Sequence, residues 1–248
     1  MKNIRDKIIQ DLVKKFQFNQ NVIGVLLAGS SSNSLNLNPN SDIDFIVVLS
    51  GTGAGFEFYE NKGLWVEIFY ENELRIRKCL KDNDEIMINC FRDGRILIDN
   101  KKILHGLKKI AISLGIKYKL SNYNLYKLRY RFKVILLKVK KAYTEEDSEK
   151  LLFLCIYAFP YLLRGIYVVN SIIPPTLNSW YDEKRLLGLD GGELIINLFK
   201  MIKSYHKDIK IHKLYKSFIT VNAFLETKMG GVLKNWRNER REQYQTFL

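Results

Sequence analysis

The 248-residue sequence predicts an α+β protein: a small mixed sheet flanked by helices over residues 1–100, then an all-helical bundle over 101–248. Three observations carry that prediction. Apolar runs of strand length recur at 22–28, 43–49 and 64–70, separated by turn residues. From residue 101 onward the apolar residues recur at helical spacing instead. The charge changes at the same place. Residues 1–100 hold 12 Lys and Arg against 14 Asp and Glu, a net of −2, and residues 101–248 hold 28 against 12, a net of +16.

Each element follows in order. Ile4, Ile8, Ile9, Leu12, Val13 and Phe16 form one stripe, so 4–16 reads as an amphipathic helix. Val22–Ala28 is an apolar run ending at Gly29 and reads as a buried strand. Residues 29–41 are small and polar, with Pro39, and predict a loop or short helical turn. Ile43–Leu49 is a second buried strand, and 51–55 a turn. Over 64–70, Trp65, Glu67 and Phe69 alternate with Val66, Ile68 and Tyr70, which gives a third strand two different faces. Residues 71–80 and 85–91 read as helices, and 95–98 as a short fourth strand after the Asp93-Gly94 turn. Helices are then expected at 101–113, 122–142, 145–169, 192–206, 211–228 and near 231–244, with breaks at Pro174-Pro175 and 188–192.

Composition bounds the rest. At 47% hydrophobic and 27% charged residues the chain can bury a core, which excludes disorder as its main state. Cys79, Cys90 and Cys155 are odd in number and far apart, and His105, His206 and His212 lack zinc-like spacing. That pattern predicts a reducing, cytoplasmic setting without structural zinc. The first residues enter an amphipathic pattern and predict no signal peptide. Residues 151–163 are nearly all apolar, but the run is interrupted by Arg164 and contains Pro160, so a buried core helix is expected and no membrane span.

The chemistry concentrates in one stretch. A strand ends at Gly29, where the backbone can turn tightly and let a ligand approach. Ser30 and Ser31 follow with hydroxyls and backbone N–H groups. Asp42 and Asp44 lie two apart at the next strand, so both carboxylates leave one face. Paired carboxylates repel unless a cation lies between them, and Mg²⁺ with nucleotide phosphates is the natural occupant. Glu67 adds a third acid in an apolar strand, where burial without a partner is costly. Three carboxylates beside a Gly-Ser turn are the parts of a two-ion phosphoryl-transfer centre.

These residues resemble the DNA polymerase β-type nucleotidyltransferase superfamily. The match covers residues 22–70, and length and layout are similar to the small antibiotic and minimal nucleotidyltransferases of bacteria. The resemblance implies a catalytic domain at 1–100 and a basic, helical substrate-binding domain at 101–248. It implies that Gly29, Ser30 and Ser31 bind the triphosphate of an NTP, ATP above all. Asp42, Asp44 and Glu67 would form the catalytic, metal-binding set for two Mg²⁺ ions, with Glu67 either a ligand or the base for the acceptor hydroxyl. The implied reaction is AMP transfer from ATP to a hydroxyl of a small, antibiotic-like acceptor. RNA or tRNA, or a protein partner of a minimal-nucleotidyltransferase antitoxin, stand as alternatives, as do a homodimer and a helical partner.

The helical half offers fewer pointers. On 122–142, Leu125, Leu128, Phe132, Ile135, Leu136 and Val139 form one apolar stripe, and Tyr123, Tyr126, Tyr130, Val134 and Leu137 a second. Basic rows run between them, led by Lys127, Arg129 and Arg131, and read either as snorkelling edge residues or as phosphate contacts. Glu145, Glu146, Asp147 and Glu149 complement the start of a helix. Arg164 is a candidate phosphate clamp or buried ion-pair partner, and Trp180 and Tyr181 read as core or cleft residues. The charge of +16 in this half disfavours a polycationic acceptor.

Overall fold

The computed structural model describes residues 2–32, 41–116, 118–175, 181–204 and 211–231. Two compact units divide the chain, Met1–Lys117 and Tyr118–Leu248. The helix expected near 231–244, Gly231 apart, and Trp180 and His206 lie outside the described residues.

The first unit holds a five-stranded mixed sheet in the order β3-β4-β2-β1-β5. Its strands are β1 (Val22–Ala28), β2 (Ile43–Leu49), β3 (Gly55–Asn61), β4 (Leu64–Asn72) and β5 (Arg95–Asp99). β2 and β4 run parallel, and the other neighbours are antiparallel. Helix α1 (Lys2–Gln17) covers one face. Its Ile8, Ile9, Leu12 and Phe16 join a core with Val25, Leu27, Phe45, Val47, Val66 and Ile68. The phase of the α1 stripe, 8-9-12-16, also runs back through Arg5, which is only 3% exposed.

On the other face lie α2 (Glu73–Lys81), α3 (Glu85–Asp93) and α4 (Ile103–Ile116). Asn72 and Asp84 cap α2 and α3 by accepting from the backbone N–H three residues on. α4 packs on β1, β5 and α3, and a Cβ at Gly24 would strike Leu104, so helix and sheet approach closely there. The first unit therefore runs one helix beyond the boundary expected at residue 100, because Leu104, Leu107 and Ala111 are buried in it. β3 was not expected at all. Its residues 55–58 are all exposed, so it leaves no buried periodicity in the sequence.

The second unit is helical: α5 (Asn122–Thr144), α6 (Ser148–Val169), α7 (Glu183–Leu187), α8 (Gly192–Lys203) and α9 (Ile211–Lys228). α5, α6, α8 and α9 pack together, and a Cβ at Gly165 would crowd Leu225 and Phe132, so α6 meets its neighbours closely. The first α5 stripe is buried except for half-buried Leu125, whereas Tyr130 and Leu137 of the second stripe are exposed. Asp147 caps α6 by accepting from the Lys150 N–H, and Glu145 pairs with Lys150 at 3.2 Å. Of the acidic run, Asp147 and Glu149 thus start the helix, whereas Glu145 caps the end of α5 and Glu146 turns the chain, so the helix expected from 145 begins at Ser148. α6 continues through Pro160 and is long and apolar enough to cross a membrane by length and composition alone; Leu151, Leu154, Leu162 and Ile166 are buried within the unit.

One polar side chain departs from this pattern. Asn222 on α9 is 1% exposed, and neither its amide oxygen nor its nitrogen has a hydrogen-bond partner among the described residues. A desolvated amide without partners costs about 1–3 kcal/mol. Asn222→Leu is therefore expected to raise the thermal midpoint of unfolding by several degrees. A lower midpoint would mean that the amide is satisfied by buried water.

Candidate active site

Register brings the sequence-predicted acids together. Ala28 at the end of β1 pairs with Asp44, Asp44 with Glu67, and Glu67 with Phe58 on β3. Residues paired side by side share a face, so these four form one row across four strands. Asp42 lies two residues before Asp44 on the approach to β2. One carboxylate oxygen from each of Asp42, Asp44 and Glu67 lies within 4.8 Å of the others, and all three residues are half-buried.

The electrostatics of the row favour a cation. Burial first, then the charges of Asp42 and Glu67, push the Asp44 carboxyl from 3.8 up to about 7, while Arg5 pulls the other way. Burial and Asp42 also raise Glu67 above its ordinary value. Three hard oxygen donors that repel one another suit Mg²⁺, which takes a few carboxylates and keeps room for phosphate oxygens. Burial raises the nearby Cys90 thiol to about 12, with Asp44 adding to it, so Cys90 is a neutral, inert neighbour.

Gly29 opens a short 3₁₀ turn, Gly29–Ser32, directly after β1. Its φ of +60° is a left-handed conformation, and a Cβ there would strike the Asp44 carboxylate. The Ser30 hydroxyl is buried and has no hydrogen-bond partner among the described residues. The Ser31 hydroxyl is already engaged, donating to the Asp42 carbonyl at 2.8 Å. Gly29→Ala should therefore displace Asp44 and lower Mg²⁺ affinity by about tenfold or more, alongside a backbone cost of about 1–2 kcal/mol. Calorimetric Mg²⁺ titration beside a thermal melt reads both; unchanged affinity would uncouple the turn from the acid.

Arg5 is the residue that the sequence reading missed. Its Nη1 donates to Ser31 Oγ at 2.6 Å and to the Asp42 carbonyl at 3.2 Å, and its Nη2 donates to the Ser41 carbonyl at 2.5 Å. One guanidinium thus ties the Gly-Ser turn to the segment carrying Asp42. Its position in the apolar stripe of α1 was the available signal.

The helical candidates are placed within the second unit. Lys127 lies 4.1 Å from the centre of the Tyr123 ring, and Arg131 lies 4.4 Å from that of Tyr161. Arg129 donates to the Gly231 carbonyl at 3.0 Å. Arg164 is half-buried and has partners of its own. Tyr181 packs 4.1 Å from Phe199, ring centre to ring centre.

No protein-family model matches the chain, and no curated protein matches it in sequence. In fold it is similar to a nucleotidyltransferase-like protein from Exiguobacterium sibiricum, with a TM-score of 0.54 at 11% identity, covering 88% of this chain and 73% of that one. A spectinomycin adenyltransferase, AAD(9) from Enterococcus faecialis, whose structure holds ATP and spectinomycin, aligns at 16% identity over 88% of this chain and 96% of that one. Its TM-score is 0.30, at which no equivalence is drawn. The chain thus has a nucleotidyltransferase-like fold: a mixed sheet flanked by helices, followed by a helical region.

Proposed function

We propose that the protein is a Mg²⁺-dependent nucleotidyltransferase that moves AMP from ATP to a hydroxyl of a small-molecule, antibiotic-like acceptor and releases pyrophosphate. One observation carries the reading: three carboxylates converge within 4.8 Å of one another beside a glycine turn, in a nucleotidyltransferase-like fold. Asp42 and Asp44 would hold the metal, with Glu67 either a further ligand or the base for the acceptor hydroxyl. Bound Mg²⁺, as one ion or a pair, neutralises phosphate charge and polarises the phosphorus under attack. Gly29, Ser30 and Ser31 would cradle the triphosphate through backbone N–H groups and the Ser30 hydroxyl. The acceptor oxygen forms a bond to the α-phosphorus, the bond from that phosphorus to the bridging oxygen breaks, and pyrophosphate leaves with the electron pair. Where Glu67 serves as the base and not as a ligand, it takes the proton of the acceptor hydroxyl, burial and Asp42 having raised its affinity for protons. The helical unit, residues 118–248, which holds 23 Lys and Arg against 12 Asp and Glu for a net of +11, would serve substrate binding.

The second reading, transfer to a protein or RNA, draws on exposed apolar residues of the helical unit. Leu137 on α5 and Phe153, Ile156 and Tyr157 on α6 are exposed. The three cysteines remain free thiols, in keeping with a cytoplasmic setting. The test is calorimetric titration with ATP and Mg²⁺, followed by incubation with α-labelled ATP and a panel of alcohols, RNA and cell protein. Saturable Mg²⁺-dependent ATP binding with label on an alcohol is expected. Label on RNA or protein would select the second reading, and absence of Mg²⁺–ATP binding would refute both.

A further inference from the structure

The open part of the sheet face that carries the acids is aromatic. Phe56, Phe58, Trp65 and Phe69 are 39–56% exposed on β3 and β4. They form a continuous ladder: Phe58 stacks on Trp65 at 4.6 Å and 5°, Phe56 lies near-parallel to Phe58 at 6.4 Å, and Phe69 lies 4.9 Å from Phe56. Glu67 stands between Trp65 and Phe69 on the same face of β4, directly opposite Phe58. Exposed rings in such a run mark a site of contact, because soluble chains rarely leave large apolar patches open.

We infer that this ladder is the acceptor subsite, and that it takes an uncharged alcohol carrying a flat ring. The inference rests on the nucleotidyltransferase reading and follows from the order of the row. Ala28, Asp44, Glu67 and Phe58 occupy successive strands β1, β2, β4 and β3. The triphosphate turn begins at Gly29, at the β1 end of the row, and the acids come next. In-line displacement requires the attacking hydroxyl on the side away from the leaving pyrophosphate. The side of the acids away from the turn is the ladder. Strands stand about 4.8 Å apart, so a ring resting on Phe58 lies one strand from Glu67, within reach for an attached hydroxyl. Charge narrows the occupant further. Glu60, paired with Trp65, and Glu67 border the rings and repel a nucleic-acid backbone or an anionic membrane. The remaining occupant that stacks on rings and offers a hydroxyl beside the acids is a neutral ring-bearing alcohol.

The test uses the full chain with Trp180→Phe and Trp236→Phe, so that emission reports Trp65. Phenyl β-glucoside and methyl β-glucoside present the same hydroxyls and differ in the ring. The phenyl compound is expected to quench Trp65 saturably and to bind about tenfold tighter. Phe58→Thr should remove that preference, Phe58→Tyr should keep it, and both should bind Mg²⁺–ATP like the parent. Equal binding of the two glucosides, or a preference that survives Phe58→Thr, overturns the inference. So does a dimer in light scattering that Phe58→Thr converts to monomer, because a second copy would then cover the ladder. Loss of Mg²⁺–ATP binding in the parent itself would instead strike the nucleotidyltransferase reading, while the ring preference would still be read independently.

Discussion

Asp44→Asn is expected to abolish Mg²⁺ binding and to lower the proposed nucleotidyl transfer by at least about 10²-fold, yet to yield a more stable apoprotein at pH 8. The two effects have one cause. Asp44 is held by burial, and by the charges of Asp42 and Glu67, at about 7 against 3.8 in an exposed carboxyl. Between those values the folded chain keeps a proton that the unfolded chain has released. Apoprotein stability from this group is therefore complete below about pH 4, falls as pH rises, and is lost above about pH 7. A displacement of about three pH units sets a ceiling of about 4 kcal/mol on that loss. Asn carries no charge and escapes it. Thermal melts of both proteins from pH 4 to pH 8 without metal should diverge with rising pH, the variant melting higher. Added Mg²⁺ should stabilise only the parent, with affinity rising to about pH 7 and then levelling, because the ligand must shed its proton to bind. Parallel melting curves would show that Asp44 is not held against its charge, and would remove the electrostatic case for a metal there.

What the sequence made legible was local. Val22–Ala28 and Ile43–Leu49 are buried on both faces, so their apolar runs stand out, and the spacing of Asp42 and Asp44 places both acids on one face. The alternation of Trp65, Glu67 and Phe69 with Val66 and Ile68 described the two faces of β4, exposed or half-buried against buried. Lateral order was not legible, since nothing in a strand's own residues says that β4 lies beside β2 or that β3 adds a further strand. Gly55–Asn61 contributes no fully buried residue, so its Phe56 and Phe58 gave no core signal; their meaning depends on lying opposite Phe69 and Glu67. The reach of the first unit to residue 117 was hidden for a related reason. α4 has an ordinary helical pattern, and whether its apolar side faces the sheet or the bundle is a tertiary fact.

Arg5→Met is expected to damage the site from outside the acid cluster. Arg5 lies on a helix distant in sequence from Asp42, but its guanidinium donates to Ser31 Oγ and to the carbonyls of Ser41 and Asp42. Methionine keeps the apolar stem packed on α1 and removes every donor. Carbonyls and a hydroxyl that had charged donors then lose them in a buried setting, at a cost of about 2–4 kcal/mol. The segment carrying Asp42 loses its tie to the Gly-Ser turn, so Mg²⁺ affinity should fall about 10–100-fold, as when a hydrogen bond orienting a metal ligand is removed. A positive charge near Asp44 also disappears, which raises its affinity for protons and shifts the pH dependence of Mg²⁺ binding upward. That last shift separates positioning from mere loss of fold, since general destabilisation lowers the melting midpoint without moving a binding pH profile. Arg5→Lys restores the charge but not the fork, so it should return the pH profile toward the parent while recovering only part of the stability. If Arg5→Met binds Mg²⁺ like the parent at every pH, the guanidinium supports the helix alone, and the acids hold their geometry without it.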